Sequence, residues 1–138
     1  MISKEIVLEH AKYQMDRIND PEYKPIFAIL LIENADKEYI YRQTMSDGSV
    51  KEIPSRFPDT GDTFEAGFYY DIDDAINALT SNSCDMQEGI YQAGFVLCRF
   101  PGLYPCVSLA NRMYFRWDKE TQRFIHDEEP AIFAHIAF

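Results

Sequence analysis

Two stretches of this chain are mostly apolar on both faces, and they constrain the fold more strongly than any other feature. They are IFAILLIEN, residues 26–34, and IYQAGFVLCRF, residues 90–100. A strand that does not alternate between apolar and polar side chains is typically buried on both faces of a sheet. Both stretches therefore predict central strands, which the other elements must cover.

Two further segments have apolar residues at helical spacing. In residues 4–18 these are Leu8, Ala11, Met15 and Ile18, and in residues 72–81 they are Ile72, Ala75, Ile76 and Leu79. A stripe of this kind faces the core while the polar side faces solvent. We therefore expect an N-terminal helix and a second helix, 72–81.

The remaining segments predict strands. EYIYRQTM and SVKEIPSRF flank a turn at Asp47-Gly48 and predict a hairpin, in which Pro54 indicates a sheet edge or a bulge. FEAGFYY, NRMYFRW and RFIHD predict short strands, and NRMYFRW alternates between two faces. The expected fold is α+β: one domain, residues 1–138, with a mostly antiparallel sheet of about six to seven strands and both helices packed on it.

Composition narrows the class of protein. A hydrophobic content of 46% with ten Phe and nine Tyr excludes a disordered chain. The net charge of −10 argues against direct binding to nucleic acids or anionic membranes, because both are recognised through Lys and Arg. The chain has no apolar run long enough to cross a bilayer and no signal-peptide pattern at residues 1–20, so we expect a cytoplasmic protein.

The acidic charge is concentrated in one part of the chain. Between residues 57 and 98 there are eight carboxylates and no Lys, Arg or His, so this stretch carries −8 of the net −10. The eight residues are Asp59, Asp62, Glu65, Asp71, Asp73, Asp74, Asp85 and Glu88. If they share a face, that face has a negative potential that attracts a basic partner. The alternative interpretation is that Arg99, Arg112 and Arg116 lie over these carboxylates in the fold and neutralise them.

Local structure explains why several carboxylates stand where they do. Asp71 precedes the second helix and is expected to cap its first N–H groups. Asp73 and Asp74 lie near the positive end of the helix dipole. Asp85 and Glu88 are three residues apart before Gly89, which is typical of one more helical turn. Capping accounts for the positions of these residues but not for the missing positive charge.

Motifs for catalysis or metal binding are weak. The tripeptide Asp59-Thr60-Gly61 occurs once, whereas aspartic proteases need two such aspartates. His126 and His135 flank a run of acids that Pro130 interrupts, and a core or interface histidine is the better interpretation of His135. Cys84 has acidic neighbours, which disfavour a reactive thiolate. We therefore predict no catalytic residues, no metal site and no cofactor, and the sequence favours a non-enzymatic role.

The leading hypothesis is a protein-interaction module whose acidic 57–98 region binds a basic protein. One form of it is an inhibitor that presents carboxylates where nucleic-acid phosphates would lie. An alternative is a small ligand-binding or enzymatic domain, with a cleft lined by Tyr69, Tyr70 and Tyr91 near Asp85 and Glu88. A third hypothesis is self-association, as in a homodimer, through the apolar AIFAHIAF segment.

Overall fold

A computed structural model describes residues 1–33, 39–55, 63–81, 91–103 and 109–133. Its helices and strands follow in chain order. They are α1 (Lys4–Met15), β1 (Ile26–Glu33), β2 (Tyr39–Thr44), β3 (Val50–Ser55), β4 (Thr63–Tyr69), α2 (Ile72–Thr80), β5 (Tyr91–Arg99), β6 (Arg112–Asp118) and β7 (Arg123–His126). Short 3-10 turns lie at Leu109–Asn111 and Ala131–Phe133. The predicted α+β class is confirmed.

Five strands form an antiparallel sheet in the order β4-β1-β5-β6-β7. The two apolar stretches are its inner strands, and both β1 and β5 contain six consecutive buried residues. The prediction that they are central and covered on both faces is confirmed. Their burial follows from the sequence, because neither strand has a polar side to expose.

The predicted hairpin forms a separate two-stranded sheet, β2-β3. Its turn lies where the sequence indicates: the Asp47 carboxylate accepts a hydrogen bond from the Ser49 amide at 2.8 Å, and Gly48 has a φ of +86°. That positive φ is why glycine occupies the position. Residues 42–52 are all exposed. The expected strands are therefore divided between a five-stranded and a two-stranded sheet.

Both helices pack on one face of the five-stranded sheet and share a single apolar cluster with it. In α2 the buried residues are Ile72, Ala75 and Leu79, as the periodicity predicts, and Ile76 is half-buried. The opposite face is covered differently. There Leu30, Ile32, Ala93, Phe95, Leu97, Tyr114 and Phe133 form a second cluster.

The first helix departs from prediction. Leu8, expected in the core, is 39% exposed, while Val7 and Ala11 are buried. The helix also ends at Met15, because Arg17 and Ile18 donate to the carbonyls three residues before them and tighten the last turn. Leu8 and Val7 each have apolar partners at helical spacing, so the sequence allows either of them to face the core. In the fold, packing against the sheet buries Val7. In the described part of the chain, neither helix has the length and apolar character needed to cross a membrane.

Candidate functional site

Four of the eight acidic residues expected to form a binding face lie in the described part of the chain: Glu65, Asp71, Asp73 and Asp74. Glu65 is on β4, and the other three are at the start of α2. All four are exposed. The remaining four, Asp59, Asp62, Asp85 and Glu88, lie outside the described residues, so whether the eight share one face stays a prediction.

The start of α2 has the capping interaction that the sequence indicates. The Asp71 carboxylate accepts a hydrogen bond from the Asp73 amide at 2.8 Å, and Asp71 has an extended backbone typical of an N-cap. Asp73 and Asp74 follow in the first turn, where the helix dipole favours negative charge. The local interpretation of these three carboxylates is therefore supported in detail.

Positive charge reaches the acidic residues from distant parts of the chain. Lys4 at the start of α1 lies 3.0 Å from the Asp73 carboxylate, and this hydrogen bond is the main cause of a raised pKa for Lys4. Arg99 at the end of β5 forms an ion pair with Glu65. Both cations lie outside residues 57–98 in sequence but next to that stretch in space. Asp74 forms no ion pair with a described residue.

Of the three arginines that were candidates to neutralise the acidic stretch, Arg99 pairs with one of its carboxylates, Glu65. Arg116 instead binds the Asp127 carboxylate, with Nε 3.0 Å from Oδ2. Arg112 binds Glu129 through two hydrogen bonds of 2.6 and 2.9 Å. Among the described carboxylates of the stretch, Asp73 and Glu65 therefore have a positive partner, while Arg112 and Arg116 bind carboxylates after β7.

Exposed aromatic side chains lie close to these carboxylates in sequence, a feature that sequence reasoning missed in part. Phe64 and Phe68 on β4 are 48% and 55% exposed, and Tyr70 is 66% exposed. The rings of Phe68 and Tyr70 meet edge to face at 6.1 Å. Strand β4 is at the edge of the five-stranded sheet, and no described strand pairs with its outer side. We call Phe64, Glu65, Phe68, Tyr70, Asp71, Asp73 and Asp74 the acidic-aromatic edge.

The three tyrosines of the predicted cleft have different surroundings. Tyr91 is buried and stacks on Phe64 with ring centres 6.1 Å apart. Tyr69 is half-buried and packs against the helix-side cluster, whereas Tyr70 faces solvent. The carboxylates expected beside them, Asp85 and Glu88, are outside the described residues.

The other candidate residues have structural roles where they are described. Cys98 is buried inside β5 and forms no disulfide with a described residue. The His126 Nε2 atom forms a hydrogen bond with the Ile2 carbonyl at 2.9 Å. Cys84, Cys106, His135 and the Asp59-Thr60-Gly61 tripeptide fall outside the described residues. Within the described ranges, no three His, Cys, Asp or Glu side chains are arranged to hold a metal ion.

The fold and this surface define an α+β protein with an exposed acidic-aromatic edge. Comparisons with protein-family models, curated proteins and solved structures give no match for this chain. Its function therefore has to be inferred from its own residues.

Proposed function

We propose that this protein is a non-catalytic interaction module whose acidic 57–98 region binds a basic protein. The observation that carries the proposal is the acidic-aromatic edge, where exposed carboxylates and exposed rings follow one another on the outermost strand of the sheet and at the start of α2. Charged and aromatic groups together at an exposed edge are typical of a surface that binds another molecule.

The chemistry of the edge favours arginine over lysine in the partner. A guanidinium stacks on an aromatic face and binds a carboxylate through two parallel hydrogen bonds, whereas an ammonium is a compact, strongly hydrated charge. Phe68 and Tyr70 offer ring faces, and Asp71 and Asp74 offer carboxylates close to them in sequence. We therefore expect the partner to present an arginine-rich surface.

The internal ion pairs do not block such a partner. Lys4–Asp73 and Arg99–Glu65 join side chains that are between one-third and two-thirds exposed. Pairs exposed to this extent stabilise a protein by only about 0–1 kcal/mol, so incoming arginines can replace Lys4 and Arg99 at little cost.

An inhibitor that occupies a nucleic-acid channel is one form of this function, with carboxylates in the positions of phosphates. A cytoplasmic location, expected from the sequence, is part of the proposal.

The test uses an arginine-rich peptide and a lysine-rich peptide of equal length and charge, with affinity measured by calorimetry at two salt concentrations. We expect the arginine peptide to bind more tightly, and the affinity of both to fall as salt screens the charges. The double variant Asp71→Asn/Asp74→Asn should weaken binding of the arginine peptide by about tenfold, on the order of 1.4 kcal/mol.

The matched control is Glu9→Gln/Glu120→Gln, which removes the same charge from exposed positions outside residues 57–98. Its affinity should stay within about twofold of the wild type, because rim charges far from a contact have little effect. Equal losses from the two double variants, or binding that is unaffected by salt, would show that only the net charge of −10 attracts the peptide.

A further inference from the structure

A pocket of about 200 Å³ lies between the first two residues of the chain, β6 and the segment that follows β7. Ile2, Pro130 and Ala131 contribute apolar surface to it, together with Met1. Its polar lining consists of Tyr114, Arg112 and three consecutive carboxylates, Asp127, Glu128 and Glu129. Three carboxylates face two positive groups, the Arg112 guanidinium and the α-ammonium of Met1, so the lining has an excess of one negative charge.

Tyr114 gives this pocket an unused polar group. Its side chain is only 8% exposed, and its ring packs against Phe95 and Phe133 at 5.4 and 5.9 Å between centres. No described residue forms a hydrogen bond with its hydroxyl. Burial, followed by the nearby charge of Asp127, raises the pKa of Tyr114, so the hydroxyl is neutral. The hydroxyl oxygen keeps some accessible surface, so a ligand in the pocket can reach it.

The carboxylates are held in place by other groups but keep acceptor capacity. Both Glu129 oxygens bind Arg112, at 2.6 and 2.9 Å. Asp127 accepts from the Glu128 amide at 2.7 Å and from Arg116 Nε at 3.0 Å, and these bonds lower its pKa. Each carboxylate oxygen has two lone pairs, so each can accept again. The carboxylate of Glu128 forms no ion pair with a described residue.

We propose that this pocket binds a small organic ammonium cation. An ammonium group donates three hydrogen bonds and accepts none, which matches an unpaired tyrosine hydroxyl beside carboxylates. Its alkyl chain would lie against Ile2, Pro130 and Ala131. The volume equals that of about six or seven water molecules in the liquid, which suits an amine of four or five carbons. This inference does not depend on the acidic-aromatic edge, whose residues are all outside the pocket.

The first experiment follows the amide resonances of the wild-type protein while n-butylammonium is added. The protein is used without an N-terminal tag, because Met1 and Ile2 line the pocket. We expect saturable shifts centred on Tyr114, Glu128 and Ala131, with a dissociation constant in the millimolar range, typical of so small a ligand. Neutral n-butanol and anionic butyrate have the same chain and serve as controls. Equal shifts with either control, or no saturable shift with the ammonium, overturn the proposal.

The second experiment removes the hydroxyl with Tyr114→Phe, which keeps the ring that packs on Phe95 and Phe133. We expect n-butylammonium to bind about threefold to tenfold more weakly, since one hydrogen bond is lost. Tyr13→Phe is the matched control, because Tyr13 is an exposed tyrosine on α1, and its affinity should be unchanged.

Glu128→Gln provides a second variant at an exposed position, so its fold is not at risk. It should also weaken binding of the ammonium, because the Glu128 carboxylate then loses its charge. If both pocket variants bind as tightly as the wild type, the ammonium does not use this pocket. The ammonium group could come from a free small amine or from a lysine side chain, and a parallel titration with N-acetyl-lysine N-methylamide separates the two. If this compound binds as tightly as n-butylammonium, the natural ligand is a lysine side chain. If it binds more weakly, the natural ligand is a free small amine.

Discussion

The two faces of the five-stranded sheet are covered by different kinds of structure. On one face, two helices supply apolar side chains and satisfy their own backbone hydrogen bonds internally. On the other, the segment after β7 covers Phe95 and Tyr114 with little regular structure of its own. A segment without regular structure needs side chains to satisfy the polar groups that it brings against the sheet. Arg112 does so, by donating to the Glu129 carboxylate and, at 2.8 Å, to the Phe133 carbonyl.

The largest effect should come from Arg112→Met. Arg112 is 2% exposed, and its loss leaves the Glu129 carboxylate, 14% exposed, without its counter-charge. Removing one partner of a buried ion pair typically costs about 3–5 kcal/mol. Chemical denaturation should show this loss in the free energy of unfolding. Arg116→Met is the control, since Arg116 is 47% exposed and its pair should contribute about 0–1 kcal/mol. Equal losses would mean that the second face does not depend on a buried ion pair.

A smaller effect is expected on the helix-covered face from Gly94→Ala. A Cβ atom at position 94 would lie 3.2 Å from Leu79 Cδ1 and 3.3 Å from two ring atoms of Phe124. Overpacking of this kind costs about 1–3 kcal/mol, which thermal or chemical unfolding would detect. In a Leu79→Ala background one of the close contacts is gone, so the cost of Gly94→Ala should fall. A cost that is the same in both backgrounds would show that the side chain of Leu79 does not limit the space.

The smallest effect on stability is expected at the start of α2, which packs on the helix-covered face of the sheet. Asp71→Ala removes the acceptor for the Asp73 amide and should cost about 1 kcal/mol in the free energy of unfolding. Asp74→Ala removes the same charge from the same turn but no capping bond, so it should cost about 0.3–1 kcal/mol. The difference in the free energy of unfolding between the two variants measures the contribution of the capping hydrogen bond. If Asp74→Ala proves at least as damaging, charge rather than capping stabilises the start of the helix.

The central strands, the second helix and the hairpin turn were predictable because each depends on a pattern within a few residues. Both faces of the IFAILLIEN strand are apolar, so both faces have to be covered by other elements. Ile72, Ala75 and Leu79 lie on one stripe, and Asp47-Gly48 suits one kind of turn. The first helix was harder, since Val7 and Leu8 are both apolar and only the sheet decides which is buried.

The candidate site was predictable only in part, because it depends on contacts between distant residues. Asp71, Asp73 and Asp74 were identified from charge and capping signals within one helical turn. Nothing local indicates that Lys4 meets Asp73, 69 residues away. The exposure of Phe64 and Phe68 follows from the position of β4 at the sheet edge, which a sequence pattern does not specify. The pocket at Tyr114 likewise combines residues from both ends of the described chain.

The hydrogen bond between Ile2 and His126 has a consequence for the order of folding. It joins residues 124 positions apart and holds the start of α1 against the last strand of the sheet. During synthesis α1 is made before the strands, yet its docking site on Leu109–Asn111 and β6 is made much later. Until then its apolar side, with Val7 and Ala11, has no sheet to pack on. α1 is thus among the last elements to reach its final place, and its apolar residues have no sheet partner while β1–β5 are being made.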